Sequence, residues 1–342
     1  MFGNTLVTGG CGFIGSYFVD LHLKNDNNLL INLDALTYAG DLKNTRSFQN
    51  NKNYKFIHGS IENYSLVDFL IKEYNIKRIV NFAAESHVDN SIKNPDIFVN
   101  TNVNGTLQLL KAAYRNWMLS PNKIKPDSKD NLFFHISTDE VYGTLETDSN
   151  DSFTEKSNYA PNSPYAASKA SAEMVVRSFF RTYGMRTLVT SCSNNYGERQ
   201  NKEKLIPHII SSILNDQTIQ IHGSGKNIRD WLYVGDHCDA IYELLTYQHT
   251  KFGEKYNIGG GTELNNIAVV NKICEIMDKK LPSEKYRSYK ELISFVKDRP
   301  GNDLKYSVNA SKIEEFIGWK PKMHFAEGLE RTVDWYINEY KS

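Results

Sequence analysis

A chain of 342 residues exceeds the ~100–200 residues of a typical domain, which leaves room for one large α/β unit with a smaller attached lobe. Hydrophobic residues at 40% and charged residues at 23% exclude a disordered or collagen-like chain. Forty basic residues balance forty acidic ones, so net charge offers no argument for a nucleic-acid or membrane-surface partner.

No apolar run approaches the ~20 residues needed to cross a bilayer. The N-terminal region enters a β-branched strand pattern at once, without the basic and apolar stretches of an export signal. Cys11, Cys192, Cys238 and Cys274 are scattered with no paired spacing, which fits a reducing compartment and supplies no metal-ligand pattern. A cytoplasmic protein without a metal is the expectation.

Taken in chain order, the first two hundred residues alternate short apolar strands with longer segments of helical periodicity. Strands are predicted over 5–8, 29–33, 54–58, 78–82, 132–137 and 187–191, and helices over 13–24, 66–74, 95–117 and 163–183. Stretches 119–131 and 144–161, rich in Asn, Asp, Ser, Lys and Pro, read as surface loops. This rhythm predicts an α/β fold: a Rossmann-like doubly wound parallel sheet with a smaller C-terminal α/β substrate-binding lobe. The pattern loosens beyond about 195. The expected division is a dinucleotide-binding domain over 1–195, with 226–250 returning to it, and a lobe formed mainly by 196–342.

The first strand runs into Gly9-Gly10-Cys11-Gly12-Phe13-Ile14-Gly15 and then into a helix. Glycines at this spacing serve a tight turn, close approach of a pyrophosphate, and close helix–sheet packing, while the helix N-terminus offers N–H groups to phosphate. Asp34 ends the second strand nineteen residues beyond Gly15, where a carboxylate grips ribose hydroxyls. A carboxylate repels a 2′-phosphate, and Ala35 and Leu36 follow instead of a basic residue, so NAD is expected over NADP.

Tyr165 and Lys169 stand at i and i+4, hence on one helix face. A neighbouring ammonium, together with the positive charge of an oxidised nicotinamide, is expected to lower the tyrosine pKa and make it a base. The fifth predicted strand ends in Ser137-Thr138-Asp139-Glu140, at the carboxyl edge where ligands of doubly wound sheets bind. Alcohol oxidation or epimerisation needs only Tyr, Lys and a hydroxyl. Two adjacent carboxyls therefore point to a further proton transfer with separate acid and base, the alternative being a turn whose acids face water.

These motifs resemble the nucleotide-sugar 4,6-dehydratases, and most closely the dTDP-glucose 4,6-dehydratase family, NAD-dependent members of the extended short-chain dehydrogenase/reductases. The resemblance covers nearly the whole chain. It rests on residues 8–15, on Asp34-Ala-Leu-Thr-Tyr-Ala-Gly40, on Ala83-Ala-Glu-Ser-His-Val-Asp89 and on Ser137-Thr-Asp-Glu140. It continues through Tyr165 and Lys169, Ser193-Asn-Asn-Tyr-Gly197, Glu203-Lys-Leu-Ile-Pro207, Arg229-Asp-Trp-Leu-Tyr-Val234, Asn257-Ile-Gly-Gly260 and Asp298-Arg-Pro-Gly301.

The resemblance implies conversion of dTDP-glucose to its 4-keto-6-deoxy product, a step of deoxysugar formation such as that of rhamnose. Tyr165, Lys169 and Thr138 would serve C4 oxidation, Glu140 would take the C5 proton, and Asp139 would protonate the departing C6 hydroxyl. It implies cofactor contacts from Gly9, Gly12, Phe13, Ile14, Gly15, Asp34, Thr37, Ser60, Ile61, Ala83, Ala84, Thr101, Tyr165, Lys169 and Asn195. It also implies sugar-nucleotide contacts from Ser86, Thr138, Asn194, Lys204, Leu205, Gln220, His222, Arg229, Asn266, Arg299 and Asn302, and a homodimer joined through a four-helix interface.

The chain departs from the family pattern at Ser60 (usually Asp), Asn90 (usually Arg), 198–202, Gln220 and His222 (usually Pro and Tyr beside the nucleobase), and Asn302 (usually His). Three alternatives stay open from the residues. They are the same dehydration of UDP-glucose, a nucleotide-sugar 4-epimerase, and a non-catalytic NAD-binding scaffold.

Overall fold

The computed structural model describes residues 3–341 except position 299. Seven strands form the central sheet: β1 (Thr5–Thr8), β2 (Leu30–Asp34), β3 (Tyr54–His58), β4 (Arg78–Asn81), β5 (Leu132–Thr138), β6 (Thr187–Cys192) and β7 (Lys255–Ile258). All neighbours are parallel, in the order β7-β6-β5-β4-β1-β2-β3. The chain winds outward one way from β1 to β3 and the other way from β4 to β7. The reversal between β1 and β4 opens a crevice beyond their carboxyl ends, which is where such sheets bind ligands.

The inner strands are largely apolar and buried because both faces are covered, whereas the edge strand β3 is partly exposed. Successive residues point to opposite faces. Val7, Leu30, Val80, Phe134 and Leu188 join one hydrophobic cluster, whereas Leu6, Ile31, Ile79, Phe133 and Val189 join the other. The first face is covered by the helices Phe13–Asn25 and Val234–Thr246, the second by Tyr64–Glu73, Thr106–Trp117 and Pro164–Tyr183. At roughly 1.5–3 kcal/mol for each large apolar side chain fully buried, these two layers hold the crevice walls in register.

The remainder is built on a small three-stranded sheet, in which Ile228–Tyr233 pairs parallel with Asn194–Tyr196 and antiparallel with Glu263–Asn265. A second parallel pair joins Ile219–His222 to Ile293–Val296. The C-terminal helix Phe325–Lys341 packs beside them.

Three sequence expectations change. The predicted helix 95–117 consists of a short α-turn Pro95–Phe98, a π-helical segment Val99–Gly105, and the α-helix Thr106–Trp117. The wider π turn accommodates the buried Asn102 amide, which accepts from Glu85 N (2.9 Å) and donates to Glu85 O (3.0 Å) and Ser168 Oγ (2.8 Å). The predicted loop 119–131 contains a small antiparallel pair, Met118–Ser120 with Lys123–Ile124. The predicted surface loop 144–161 is tied to the C-terminal part by bridges from Leu145 to Lys305 and from Phe153 to Val308.

Candidate active site

The turn after β1 is shaped by backbone crowding. Gly9 has φ +73°, a conformation that side-chain-bearing residues rarely adopt. A Cβ on Gly15 would stand 2.2 Å from the carbonyl oxygen of Gly9, so only glycine lets the helix start so close to the strand. That helix begins after Gly12 with no capping side chain and no acid in its first turn, so its leading N–H groups are left for an anionic ligand. At the end of β2, buried Asp34 accepts from Cys11 N and Leu36 N, both at 2.8 Å. Two backbone donors fix the carboxylate at the lip of the crevice. Asn32 completes the turn by accepting from Gly10 N at 3.0 Å.

At the end of β5, Thr138 caps a single helical turn, Asp139–Tyr142, accepting from Glu140 N at 3.3 Å. Gly143, at φ +87°, terminates it. The two acids are thereby held on the sheet edge. Opposite them, Ser163 caps the helix Pro164–Tyr183 by accepting from Ala166 N, with Pro164 in its first turn. Tyr165 thus lies in the first turn and Lys169 one turn further, its Nζ donating to Ile136 O at 2.7 Å.

Electrostatics separate these groups. Asp139 is 2% exposed, and burial, then Glu140 and Asp230, hold its carboxyl well above the usual range, with Arg229 and Thr138 opposing. Burial brings the Lys169 ammonium down to about 8 against the pull of Glu173. The Tyr165 phenol is pushed up, by burial first and then by Glu140, and a hydrogen bond with Thr138 opposes. The protein's own groups by themselves do not lower the tyrosine pKa; the expectation drew also on the positive charge of an oxidised nicotinamide. The Lys169 ammonium is engaged by a β5 carbonyl, and desolvation dominates.

One cleft of about 1610 Å³, open mouth included, joins these parts. Its dinucleotide-side walls contain Gly9, Gly12, Phe13, Ile14, Gly15, Asp34 and Thr37, together with Ser60, Ile61, Ala83, Ala84 and Thr101. Ser86, Thr138, Asp139, Glu140, Tyr165, Lys169, Asn194, Asn195 and Lys204 complete the expected lining. Leu205 is not among the walls; it opens the helix Leu205–Leu214 and packs against the apolar core.

Gln220, His222, Arg229, Asn266 and Asn302 also lie outside these walls, the first three in the smaller sheets, Asn266 at the start of the helix Asn266–Lys280 and Asn302 in a loop. Arg229 donates to Ile228 O (2.8 Å), Asp303 O (3.0 Å) and Asn302 Oδ1 (3.4 Å), with its guanidinium 4.3 Å from the centre of the Tyr306 ring. Asn302 also donates to Asp298 at 2.8 Å. Asn266 N donates to Asn227 O, and His222 Nδ1 is 3.4 Å from Lys297 O. The strand Ile228–Tyr233 links this group to the cleft, because Trp231 pairs with Asn194 and Leu232 with Asn195. Arg299 lies outside the described residues.

Sequence reasoning missed several groups at the same site. Glu85, Cys192, Ser193, Gln200 and Asn201 line the cleft. Glu173, fully buried one turn beyond Lys169, accepts from Ser191 Oγ at 3.1 Å and pairs with Lys255 at 2.8 Å. The i+4 spacing from Lys169 was available as a signal for Glu173. For Asn102 there was none, because the π turn breaks helical spacing.

Fold and site together define a doubly wound dinucleotide-type enzyme with a Tyr/Lys pair and an added acid couple. The family profile described as GDP-mannose 4,6 dehydratase matches residues 6–332. A dTDP-glucose 4,6-dehydratase of Xanthomonas campestris pv. campestris (strain B100) is 47% identical over 97% of this chain and 92% of its own. The dTDP-glucose 4,6-dehydratase of Streptomyces venezuelae, solved with NAD bound, superposes with TM-score 0.87 at 39% identity, covering 99% of this chain and 98% of that one. A UDP-glucuronic acid 4-epimerase of Bacillus cereus gives TM-score 0.85 at 26% identity, over 98% and 100% of the two chains. The chain belongs to the GDP-mannose 4,6 dehydratase family and, within it, to the dTDP-glucose 4,6-dehydratases.

Proposed function

We propose that this chain is an NAD-dependent hydro-lyase that converts dTDP-glucose to dTDP-4-keto-6-deoxyglucose. Superposition alone does not separate dehydratase from epimerase, since both kinds of neighbour fit equally well. The observation that carries the reading is a deeply buried Asp139, its carboxyl held well above the usual range by burial and by Glu140, beside Glu140 on the edge shared with Tyr165 and Lys169.

The uncapped helix N-terminus and the doubly anchored Asp34 fit a dinucleotide pyrophosphate and ribose. When bound, NAD supplies the hydride acceptor at C4, the hydride donor at C6 and a positive charge near Tyr165. Tyr165, hydrogen-bonded to Thr138 and backed by the Lys169 ammonium, takes the proton from the sugar O4. The resulting 4-ketone acidifies the C5 proton, which Glu140 removes. Asp139 delivers its proton to O6 as the C6–O bond breaks and water leaves, and Glu140 returns its proton to C5 once C6 has been reduced, so that the product differs from the substrate by one water.

Ser86, Thr138, Asn194 and Lys204 would meet the sugar nucleotide inside the cleft. Gln220, His222, Arg229, Asn266 and Asn302 would meet its nucleotide end from the smaller sheets and the segments beside them, where a guanidinium suits a diphosphate. Residues 1–195 with 226–250 would serve mainly the dinucleotide, and 196–342 mainly the substrate. A homodimer through the segments 95–117 and 163–183 is supported by Ile97, Val99 and Met174, which are large, apolar and exposed. No described helix is long and apolar enough to cross a membrane, and all four cysteines are free and buried, which supports a cytoplasmic setting.

The test is incubation with dTDP-, UDP- and GDP-glucose followed by mass spectrometry. Loss of one water from the dTDP-sugar is expected. A mass-neutral sugar change would identify an epimerase instead, and no turnover with any of the three would favour a scaffold.

A further inference from the structure

Residues 198–202 depart from the family pattern, and with Glu203 and Lys204 they form a bridge over the cleft. Its base is Glu198, a buried carboxylate held from three elements. Tyr17 OH donates to it at 2.5 Å from the helix that follows the glycine turn. Tyr233 OH donates at 2.9 Å from the end of the small-sheet strand, and Arg331 Nε at 2.5 Å from the C-terminal helix. These donors outweigh burial and hold the carboxyl below its usual range, so it remains charged.

Beyond Glu198 the segment reaches across to the helix that follows β1 and to the loops at the ends of β2 and β4. Arg199, in a left-handed conformation at φ +68°, places its guanidinium 4.8 Å from the Tyr17 ring centre. Asn201 Nδ2 donates to Tyr38 O at 3.1 Å, just past Asp34, and Lys204 Nζ donates to Ser86 O at 2.9 Å. Gln200, tied to Asn195 O at 2.8 Å, forms part of the cleft wall together with Asn201 and Lys204. The loops after β2 and β4 and the helix after the glycine turn are therefore latched to one short strap, and the strap is pinned at Glu198.

We propose that 198–204 is a retention strap for the dinucleotide, with Glu198 as its positioning residue, so that cofactor exchange requires the strap to release. The inference rests on the dehydratase reading. A reaction with no net redox change regenerates its cofactor in place, so the strap need not open between turnovers, only for exchange.

The experiment measures the rate at which NAD leaves the holoenzyme in a chase with excess labelled NAD. The variants are Glu198→Gln, which keeps size but removes the charge, Tyr17→Phe, which removes one donor, and Asn201→Ala, which cuts the latch to Tyr38 and leaves the Glu198 anchor intact. Glu198→Gln and Asn201→Ala are expected to speed NAD release by about ten-fold or more, the scale of a lost charged or cross-loop hydrogen bond, with a smaller acceleration for Tyr17→Phe. Circular dichroism identifies any variant that fails to fold, and Asn201→Ala then decides the matter alone. Release as slow as in the parent protein from folded Asn201→Ala overturns the strap and leaves the dehydratase reading standing. Failure of the parent protein to bind NAD at all overturns both.

Discussion

The turn after β1 and the edge after β5 flank the same crevice but are built differently. Around the turn, the contacts that set geometry are backbone ones: Gly15 packed on Gly9 O, and Asp34 held by two main-chain N–H groups. At the β5 edge, the decisive atoms belong to buried ionisable side chains, and their protonation has been displaced by desolvation and by one another. One region is a rigid cradle whose function is shape. The other holds proton donors and acceptors in states that water would not permit, and charge is its function.

The largest expected effect lies at the β5 edge. Glu140→Gln preserves shape and removes the base, so water loss should fall about 10²- to 10⁴-fold, the span of a lost general base. Mass spectrometry would follow it, with solvent hydrogen exchange at C5 disappearing in parallel. Full turnover in this variant would remove Glu140 from the chemistry and erase the contrast with the cradle.

Next comes Lys169→Met, expected to lower kcat by roughly a hundred-fold if the ammonium supports the Tyr165 phenolate. Because burial places Lys169 at about 8, the charge is present below that pH and lost above it. The parent enzyme should show an alkaline fall in rate near pH 8 that the Met variant lacks. A limb that survives the substitution belongs to another group.

The cradle is tested by Gly15→Ala. Its new Cβ meets backbone, which cannot rotate aside, so about 1–3 kcal/mol of stability should be lost together with NAD affinity. Thermal unfolding and NAD titration read the two effects. An unchanged melting temperature would show that the helix shifts freely, and the cradle would then not be rigid.

The same contrast explains what could be read from the sequence. The cradle was legible because its parts are contiguous or set by a fixed strand–helix–strand spacing, and Gly9 to Gly15 and Asp34 needed no tertiary information. The sheet was legible because most of its strands are short, largely apolar runs between helical patterns, though β7 was missed since Lys255-Tyr-Asn-Ile258 carries too little apolar character to stand out. Tyr165 and Lys169 could be placed on one face, but their pKa values could not be, because these depend on burial and on charged neighbours such as Glu140 and Cys192, which come from two other segments, besides Glu173 on the same helix. Gln220, His222, Arg229 and Asn302 came only through resemblance. They come from three segments, of which only the strand of Arg229 is paired, through Trp231 and Asn194, to a wall of the cleft.

The smallest effect tests the two kinds of region through opposite signs of pH dependence. His237, wholly buried with its Nδ1 2.8 Å from Asn195 Oδ1, is brought by burial to about 3. A folded pKa below the unfolded ~6.5 means that its stability contribution is intact above pH 6.5 and is lost as pH falls toward 3, at about 1.4 kcal/mol by pH 5.5. Asp139 runs the other way. Its folded pKa is raised, so its contribution is complete below the ordinary carboxylate range and is lost as pH rises toward the folded value. At pH 7.5, therefore, Asp139→Asn should melt higher than the parent protein while turning over more slowly, and the gain should vanish below about pH 4, where the unfolded carboxyl is also neutral. His237→Gln should instead narrow the drop in melting temperature between pH 7.5 and 5.5. If Asp139→Asn melts lower at pH 7.5, the carboxyl is ionised and held by partners, and the acid assigned to the departing hydroxyl must be sought elsewhere on that edge.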